Sequence, residues 1–283
     1  MTLYDEIYGF LVGNGVTCKS EGTDCRRVII ADEDIILPVR IFHTSIEEAR
    51  KSSLPDYIRE IAETTGKYPL TVTEDRWRSQ GSMIRSRILA HLRKFTQIYA
   101  RNCEIRKIDK KTASEFLNTN HTYGDAACRY RYGLYLKRHT GHNAENVGIV
   151  PGTLVAVAAF SNARKWIKGD KTIRSYEWTR YASLPGARLS GGMGKLLNAF
   201  IEDVKPDDIM TYADLEWSEG KVYEKLGFKL EKVKEPVVFR VNDSWERVPT
   251  RQGEDTSLSE APSNLYFQNL GSNKYRLKLT DYQ

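Results

Sequence analysis

Hydrophobic and polar positions in the first hundred residues alternate with two different periods, and together they predict a small α/β module over residues 1–100. Apolar residues three to four apart predict helices, whereas apolar and polar residues in alternation predict strands. The predicted helices are Leu3–Val12, Ser45–Lys51, Pro55–Thr64 and a basic amphipathic helix over Gln80–Phe95. The predicted strands are Arg26–Ile30, Ile35–Phe42 and Tyr68–Thr73.

A longer alternation of strands and helices follows over residues 101–247. Strands are predicted at Glu104–Ile108, Tyr130–Lys137, Thr153–Ser161, Ser175–Ser183, Ile209–Ala213 and, closing the sheet, Val237–Val241. Helices are predicted after Asp109 as N-cap, after a glycine turn and ending at Val204, and through Lys225. We expect an α/β (α+β) chain whose second part is a mixed, mostly antiparallel sheet flanked by helices.

The end of the chain carries two weaker patterns. Residues 248–263 are rich in Ser, Thr, Glu, Pro and Gly, which is typical of a flexible loop. Residues 264–283 alternate like a hairpin and are expected to form a C-terminal extension.

A glycine turn is the strongest local signal for chemistry in the chain. It opens an amphipathic helix and is formed by Arg188, Leu189, Ser190, Gly191, Gly192, Met193, Gly194 and Lys195. The first amides of a helix have no partner within the helix, and the helix dipole favours an anion there. The turn is therefore a candidate phosphate-binding loop for a cofactor. A tight strand-to-helix turn without a ligand is the alternative interpretation.

Positive charge is concentrated in one part of the chain. The net charge is +6, and residues 70–140 hold 15 lysines and arginines against 6 acidic residues, with aromatic residues between them. Such a segment attracts polyanions and offers rings for base stacking. The candidate nucleic-acid contacts are Arg76, Arg78, Arg85, Arg87, Arg93, Lys94, Arg129 and Arg131. A solvated basic helix with core aromatics is the alternative.

Compartment and redox state follow from what the sequence lacks. No apolar run reaches the 18 residues or so of a membrane span, and the first residues have no basic, apolar signal pattern. The 4 cysteines form no CxxC pair and have no histidine cluster beside them. We expect a cytoplasmic protein with free thiols, no membrane contact and no metal site.

Four residues are candidates for proton transfer. Tyr223 lies on the helix predicted after the strand Ile209–Ala213, where its phenol can protonate a leaving group. Packing of Tyr223 against the sheet is the alternative. Asp214 ends a strand and either accepts a proton or caps the next turn. His121 lies on a polar loop, where a plain hydrogen-bonding role is the alternative. Glu177 either accepts a proton or forms a buried salt bridge.

Strict alternation along that predicted strand divides its side chains between two faces. Glu177, Thr179 and Tyr181 are expected on one face, and Trp178 and Arg180 on the other.

These elements and motifs resemble the GCN5-related N-acetyltransferase (GNAT) fold. Arg188-x-x-Gly191-Gly192-Met193-Gly194 is similar to the loop that holds the pyrophosphate of acetyl-CoA in that family, with Met193 in a position usually held by Gly or Ala. The run Tyr223-Glu224-Lys225-Leu226-Gly227-Phe228 is similar to the helix that carries the tyrosine acting as general acid in that family. The resemblance implies acetyl-CoA or a related acyl donor, bound by residues 188 and 190–195, with Tyr223 as general acid.

Within that superfamily, about half of the chain is similar to phage Mom-type DNA-modification proteins. The similarity covers Phe116–His121, Tyr176–Tyr181, Ser190–Gly192 and Thr211–Asp214. It implies transfer of a small acyl-type group to the adenine amino group of duplex DNA, in the cytoplasm of a bacterial host if the chain is phage-encoded.

The first module faintly resembles a very-short-patch or restriction-endonuclease module. The resemblance lies in Asp34–Pro38 and in Glu74–Trp77. Such nucleases need a second carboxylate and a lysine just after the aspartate, to hold Mg²⁺ and to activate water. Val39–His43 contains no Glu-x-Lys, which favours a degenerate, DNA-holding relic. Three hypotheses therefore stand: a DNA-modifying acyltransferase of GNAT fold, a homing or restriction-like endonuclease, and a non-catalytic DNA-binding protein.

Overall fold

The chain divides into two compact units. The computed structural model describes residues 1–23, 26–138, 148–250 and 265–282. The first unit comprises residues 1–88, 213–220 and 233–273, and the second comprises residues 89–212, 221–232 and 274–283. The sequence-based boundary near residue 100 differs from this division, because two later stretches return to the first unit. Most of the predicted loop at 248–263 lies outside the described residues.

The elements of the described residues alternate throughout the chain. The helices are α1 (Leu3–Gly13), α2 (Ile46–Lys51), α3 (Leu54–Thr65), α4 (Glu74–Ser79), α5 (Gly81–His91), α6 (Lys110–Asn120), α7 (Gly192–Val204) and α8 (Lys221–Lys225). The strands are β1 (Cys18–Glu21), β2 (Val28–Ala31), β3 (Asp34–Val39), β4 (Leu70–Thr73), β5 (Thr96–Tyr99), β6 (Cys103–Lys107), β7 (Tyr130–Leu136), β8 (Leu154–Phe160), β9 (Arg164–Lys168), β10 (Lys171–Ser183), β11 (Ala187–Ser190), β12 (Asp208–Asp214), β13 (Lys229–Lys234), β14 (Val238–Val241), β15 (Arg247–Pro249), β16 (Leu265–Gln268) and β17 (Ser272–Lys278). None of the helices in the described ranges is long and apolar enough to cross a membrane.

The first unit holds two small sheets. One runs in the order β1-β2-β3-β4, with β2 antiparallel to β3 and β3 parallel to β4. The other places β14 between β15 and β16. Apolar residues of β3, α3 and the segment after β16 form one core cluster around Leu37, Ile58 and Leu270. The predicted strand pair and the third predicted strand of the first module are therefore present.

The second unit contains the large mixed sheet expected from the sequence. Its order is β13-β17-β12-β10-β8-β7-β6, with β9 paired to the start of β10. The steps from β6 through β10 are antiparallel, and β10 runs parallel to β12. Helix α6 packs on Val157 and Ala159, whereas Phe200 of α7 stacks on Phe160 with ring centroids 3.9 Å apart. Alternate residues of β8 face opposite sides, so the two helices flank the sheet.

The closing strand of the large sheet differs from the prediction. The run Val237–Val241 was expected to close the sheet, but β14 pairs with β15 and β16 in the first unit. Its Val238 and Val241 are buried in apolar clusters of that unit. The large sheet instead ends with β17 and the fully exposed β13. A short apolar strand is stabilised mainly by the side chains that pack against it. The position of this strand in the sequence therefore did not indicate which sheet it joins.

The predicted C-terminal hairpin is also replaced by a different arrangement. Strands β16 and β17 belong to different sheets and are separated by a tight turn at Gly271. Gly271 has φ +77°, and a Cβ there would lie 2.2 Å from the Lys234 carbonyl oxygen. Only glycine fits this turn, which redirects the chain from one sheet to the other.

A buried ion-pair network lies in the first unit around Arg247. Its guanidinium donates to Asp75 Oδ2 at 2.6 Å and to Glu216 Oε1 at 2.6 Å, and a further bond reaches the Thr73 hydroxyl at 3.0 Å. Both carboxylates are about 1% exposed. Burial raises the pKa of Glu216, while the Arg247 charge opposes that shift. Each charge is tolerated inside the unit because the others compensate it.

The same network bears on the endonuclease resemblance. Asp75 is engaged by Arg247, and the buried Glu74 accepts the backbone N–H of Ile41 at 3.3 Å. Carboxylates used in this way are not presented to a metal ion, so the Glu74–Trp77 segment serves the packing of the first unit. Among the described residues, no group of three or more His, Cys, Asp or Glu side chains is arranged to hold a metal.

Removing the shared cation should destabilise the first unit strongly. We expect Arg247→Met to lower the free energy of unfolding by about 3–5 kcal/mol, because it takes from two buried carboxylates the cation that they share. Denaturant unfolding followed by tryptophan fluorescence measures this loss. Arg59→Met is the control, since Arg59 and its partner Asp56 are more than 60% exposed and should cost under about 1 kcal/mol. Equal losses in the two variants would contradict the stabilising role of the buried network.

Candidate active site

Two parallel strands diverge in the middle of the large sheet. Strands β10 and β12 pair only from Ser175 to Glu177 and from Asp208 to Met210. Beyond that point β10 continues along β8 to Ser183, while no pairing links it to β12. The Thr211 hydroxyl donates to the Trp178 carbonyl at 3.0 Å just where the strands part. Beyond this bond, the backbone N–H and C=O groups of β10 and β12 that face each other across the gap are not paired with each other.

A β-bulge in β10 turns its side chains at the same place. The register against β8 shifts between Trp178 and Arg180, so Thr179 is the extra residue. Alternation is broken there, and the Trp178 and Tyr181 rings meet with centroids 6.0 Å apart. The predicted division of faces is therefore wrong beyond Trp178, because a bulge shifts the alternation by one residue. Arg180 fixes this region by donating to the Gly124 carbonyl at 2.9 Å.

The glycine turn forms the start of α7 as predicted. Gly191 is left-handed at φ +78°, and no side chain of the described residues caps the helix. The first helical hydrogen bond runs from Lys195 N to the Gly191 carbonyl at 3.0 Å. The amides of Gly192, Met193 and Gly194 precede that bond, so the first turn presents donors to an anion.

The side chains around the turn are already engaged. Lys195 Nζ donates to the carbonyls of Ala100 and Cys103 at 2.9 and 2.5 Å. The Ser190 hydroxyl accepts from Gln97 Nε2 at 3.0 Å. Arg188 lies over the Phe95 ring, 5.3 Å from its centroid. Of the predicted cofactor set, the backbone of residues 191–194 is thus better suited to an anion than the side chains of Arg188, Ser190 and Lys195.

Tyr223 lies among aromatic rings beside the strand divergence. Its ring meets Trp178 edge-on at 6.1 Å and packs on Phe228 and Tyr275 at 5.8 and 5.6 Å. Burial raises the pKa of its phenol, and a hydrogen bond with the Thr211 hydroxyl acts in the opposite direction. The phenol is therefore protonated at neutral pH, as a general acid must be.

Tyr181 is a second phenol in this place, and sequence reasoning missed it. A Cβ at Gly192 would lie 3.2 Å from the Tyr181 hydroxyl, which therefore sits against the start of α7. Burial, followed by the neighbouring Tyr223, raises its pKa well above the ordinary value. The repeated aromatic residues at 176, 178 and 181 were the available signal, but strict alternation assigned Tyr181 to the wrong face.

The predicted proton acceptors differ in what surrounds them. Glu177 ends the paired segment of β10, where its amide donates to the Ser161 hydroxyl at 2.9 Å. Its carboxylate is half-buried, and it forms no salt bridge or hydrogen bond with the described residues. His121 Nδ1 accepts the Tyr123 amide at 3.1 Å, and this bond occupies the lone pair that a base needs. Of these two residues, Glu177 is the one whose side chain is available to accept a proton, and it projects from the face of β10 opposite Trp178.

Asp214 belongs to the first unit and organises a turn there. Its Oδ1 accepts from the Glu216 amide at 3.0 Å, and its carbonyl accepts from Trp217 and Ser218 at 3.0 and 3.1 Å. This is the turn-capping arrangement weighed as the alternative to catalysis. A role for Asp214 in proton transfer stays a prediction.

The predicted nucleic-acid contacts are divided evenly between the units. Arg76, Arg78, Arg85 and Arg87 lie in the first unit, and Arg93, Lys94, Arg129 and Arg131 lie in the second. Arg76 is only 6% exposed, and the side chain of Arg131 is 9% exposed beside Asp125. Arg78 donates to Glu6 at 2.6 Å. Burial removes Arg76 and Arg131 from the candidate contacts, whereas Arg93, Lys94 and Arg129 are exposed.

The chain is similar in fold to solved acetyltransferase structures at low sequence identity. The NatC complex bound to Gag peptide and CoA matches at 12% identity and a TM-score of 0.36, over 63% of this chain and 99% of that chain. The ribosomal-protein-S18-alanine N-acetyltransferase from Escherichia coli matches at 13% identity and a TM-score of 0.35, over 64% and 96%. A spermidine N-acetyltransferase mutant from Vibrio cholerae matches at 12% identity and a TM-score of 0.37, over 63% and 94%.

These likenesses are too distant to indicate a substrate or an activity for this chain. No known protein family and no curated protein matches the sequence.

The two helical glycines of the turn should respond differently to substitution. A Cβ at Gly192 would lie 2.4 Å from Leu189 Cδ2, whereas a Cβ at Gly194 would lie 3.3 Å from the flexible end of Leu226. We expect Gly192→Ala to lower the free energy of unfolding by about 1–3 kcal/mol through overpacking. Gly194→Ala should stay within about 1 kcal/mol of the parent, because alanine favours the helix. Thermal unfolding of both variants measures the difference, and equal stability would show that the turn is loosely packed.

Proposed function

We propose that this chain transfers an acyl group from a CoA-type thioester to an amine. The observation that carries the proposal is the divergence of β10 and β12 after Glu177 and Met210, with the half-buried phenols of Tyr181 and Tyr223 beside it. A gap between two strands exposes backbone donors and acceptors, and an extended ligand with amide groups can pair with such an edge. The start of α7 supplies amides for phosphate at the same part of the unit.

The residues around the start of α7 fit a phosphate-bearing donor in part. The backbone of residues 191–194 offers donors without a side-chain cap among the described residues. The Lys195 ammonium already donates to two backbone carbonyls, so fewer of its hydrogens are available to a phosphate. Met193 in the position usual for Gly or Ala leaves its own amide unchanged. We therefore propose that the backbone of the turn holds the phosphates.

Each protein group has a defined part in the proposed reaction. When bound, the thioester supplies an activated acyl carbon and a thiolate leaving group. Glu177 accepts the proton that the amine loses as the new C–N bond forms. Tyr223 gives its proton to the sulfur as the C–S bond breaks, and Tyr181 keeps water from the buried side of the gap. Proton transfer to a poor leaving group is the step in which a protonated phenol contributes most.

We further propose that the amine is the exocyclic amino group of a DNA base. The support is the resemblance to Mom-type proteins, the net charge of +6 and the exposed Arg93, Lys94 and Arg129. Long-range attraction between a cationic protein and a polyanion raises the local concentration of the acceptor. In the first unit Glu74 and Asp75 are engaged by the Ile41 amide and by Arg247, which favours base modification over strand cleavage.

Loss of the Tyr223 hydroxyl should slow turnover selectively. We expect Tyr223→Phe to lower kcat by about 10²-fold or more, with KM for the acyl donor nearly unchanged, because the hydroxyl gives its proton in the chemical step. Release of free thiol in the presence of acetyl-CoA and duplex DNA measures the rate. Tyr123→Phe is the control, since Tyr123 is 48% exposed and should keep the parent rate. A parent-like kcat in Tyr223→Phe would remove the phenol from the mechanism.

DNA from cells that express the chain should carry a modified base. We expect mass spectrometry of enzymatically released nucleosides to show a new deoxyadenosine species heavier by one acyl-type group. Glu177→Gln should reduce its amount by about 10²-fold, because the amide cannot accept the proton. An unchanged nucleoside profile, together with thiol release on a small amine, would keep the acyl transfer and reject DNA as its acceptor.

A further inference from the structure

A cleft that the proposed reaction does not use lies on the second unit. Its volume is about 540 Å³, and residues of β9, β10, β12, β13 and β17 form its walls. The residues that matter for its chemistry are Trp166, Lys168, Lys229, Lys274, Lys278 and Tyr282. This size suits a ligand of one or a few rings with attached polar groups.

The cleft is separate from the candidate active site along β10. Ile173 lines the cleft, whereas Trp178 and Tyr181 lie at the strand divergence. At about 3.3 Å per residue, Ile173 lies roughly 13–26 Å along the strand from Glu177, Trp178 and Tyr181. The part of the cleft wall that β10 forms is therefore separate from the groups of β10 at the strand divergence.

Cations outnumber carboxylates in the cleft wall. Arg276 is compensated by Asp208 at 2.6 Å and by Glu231 at 3.1 Å, and Lys274 also pairs with Glu231. Lys168 and Lys229 are exposed and have no ion-pair or hydrogen-bond partner among the described residues. Two uncompensated ammonium groups on opposite walls give the cleft a positive potential that favours an anion.

Two aromatic side chains, Trp166 and Tyr282, line the cleft. Trp166 is 46% exposed, on a strand whose every residue is exposed. It faces the cleft together with Lys168, two residues further along the same face of β9. Tyr282 lines the cleft as well, with the Lys278 ammonium 4.5 Å from its ring centroid. The exposed ring of Trp166 beside Lys168 matches a ligand with flat bases and phosphates.

From this arrangement we infer that the cleft binds a single strand of nucleic acid. One base stacks on the indole of Trp166, and the flanking phosphates meet Lys168 and Lys229. A single strand is favoured because the bases of a duplex are stacked on one another and cannot enter a cleft of this volume. The inference goes beyond the proposed function and does not depend on acyl transfer, because its test needs no donor.

Binding of a fluorescein-labelled 20-nucleotide single-stranded DNA by the full chain tests the inference. We expect Trp166→Ala to weaken binding by about tenfold, which is the usual effect of losing one base–aromatic stack. Ile167→Ala is the matched control, because Ile167 is 83% exposed on the opposite face of the same strand and should leave binding unchanged. Fluorescence anisotropy gives both affinities.

The lysines are tested by the dependence of that affinity on salt. We expect the double variant Lys168→Ala, Lys229→Ala to reduce the slope of log K against log salt by about 1.4, since each phosphate contact on a single strand contributes about 0.7. The exposed pair Lys110 and Lys111 at the start of α6 is the control and should leave the slope unchanged. An unlabelled duplex and free AMP serve as competitors.

The outcomes separate this inference from the proposed function. Parent-like affinity and slope in the cleft variants would overturn the inference, as would equal losses in the control variants. Competition by AMP as strong as that by the oligonucleotide would assign the cleft to a free nucleotide and also overturn it. Acetyl-CoA binding by the same variants should match the parent in every case; a loss of donor binding in the cleft variants would assign the cleft to the acyl donor and overturn the inference.

Discussion

The short pairing between β10 and β12 is the constraint on which the candidate site depends. Three residue pairs hold the strands together, and a bulge at Thr179 then bends β10 toward β8 and away from β12. Bulges are found where a strand has to redirect a side chain, and here the redirected side chain is Tyr181. The gap, the second phenol and the exposed strand edge are therefore consequences of one extra residue in one strand.

Local signals made much of the second unit predictable. Asp109 accepts the Thr112 amide at 2.8 Å and caps α6 as expected, and the glycine turn begins α7 as expected. The antiparallel strands β7 and β8 also follow the alternation of their residues. These features depend on neighbours within a few residues, where periodicity and capping are informative. The large, mostly antiparallel sheet flanked by helices was predictable for the same reason.

The features that escaped prediction depend on distant partners. The engagement of Lys195 by Ala100 and Cys103 joins residues more than 90 positions apart, and no local pattern distinguishes it from a phosphate-binding lysine. The bulge at Thr179 leaves no mark in the composition of β10. In the sequence, Asp75, Glu216 and Arg247 look like ordinary charged surface residues. Their burial as ion pairs depends on three segments that meet only in the folded unit.

The order of segments along the chain has a consequence for how the protein is made. The first unit is built from residues 1–88, 213–220 and 233–273, so most of the second unit lies between its parts, and residues 274–283 of the second unit follow them. On the ribosome, Asp75 is synthesised 172 residues before its counter-ion Arg247. Residues 1–88 therefore emerge long before the other segments of the first unit are made. Most of the second unit can begin to fold in the meantime. The core of the first unit can therefore be completed only late in synthesis. A chain that ends before residue 273 lacks part of that unit.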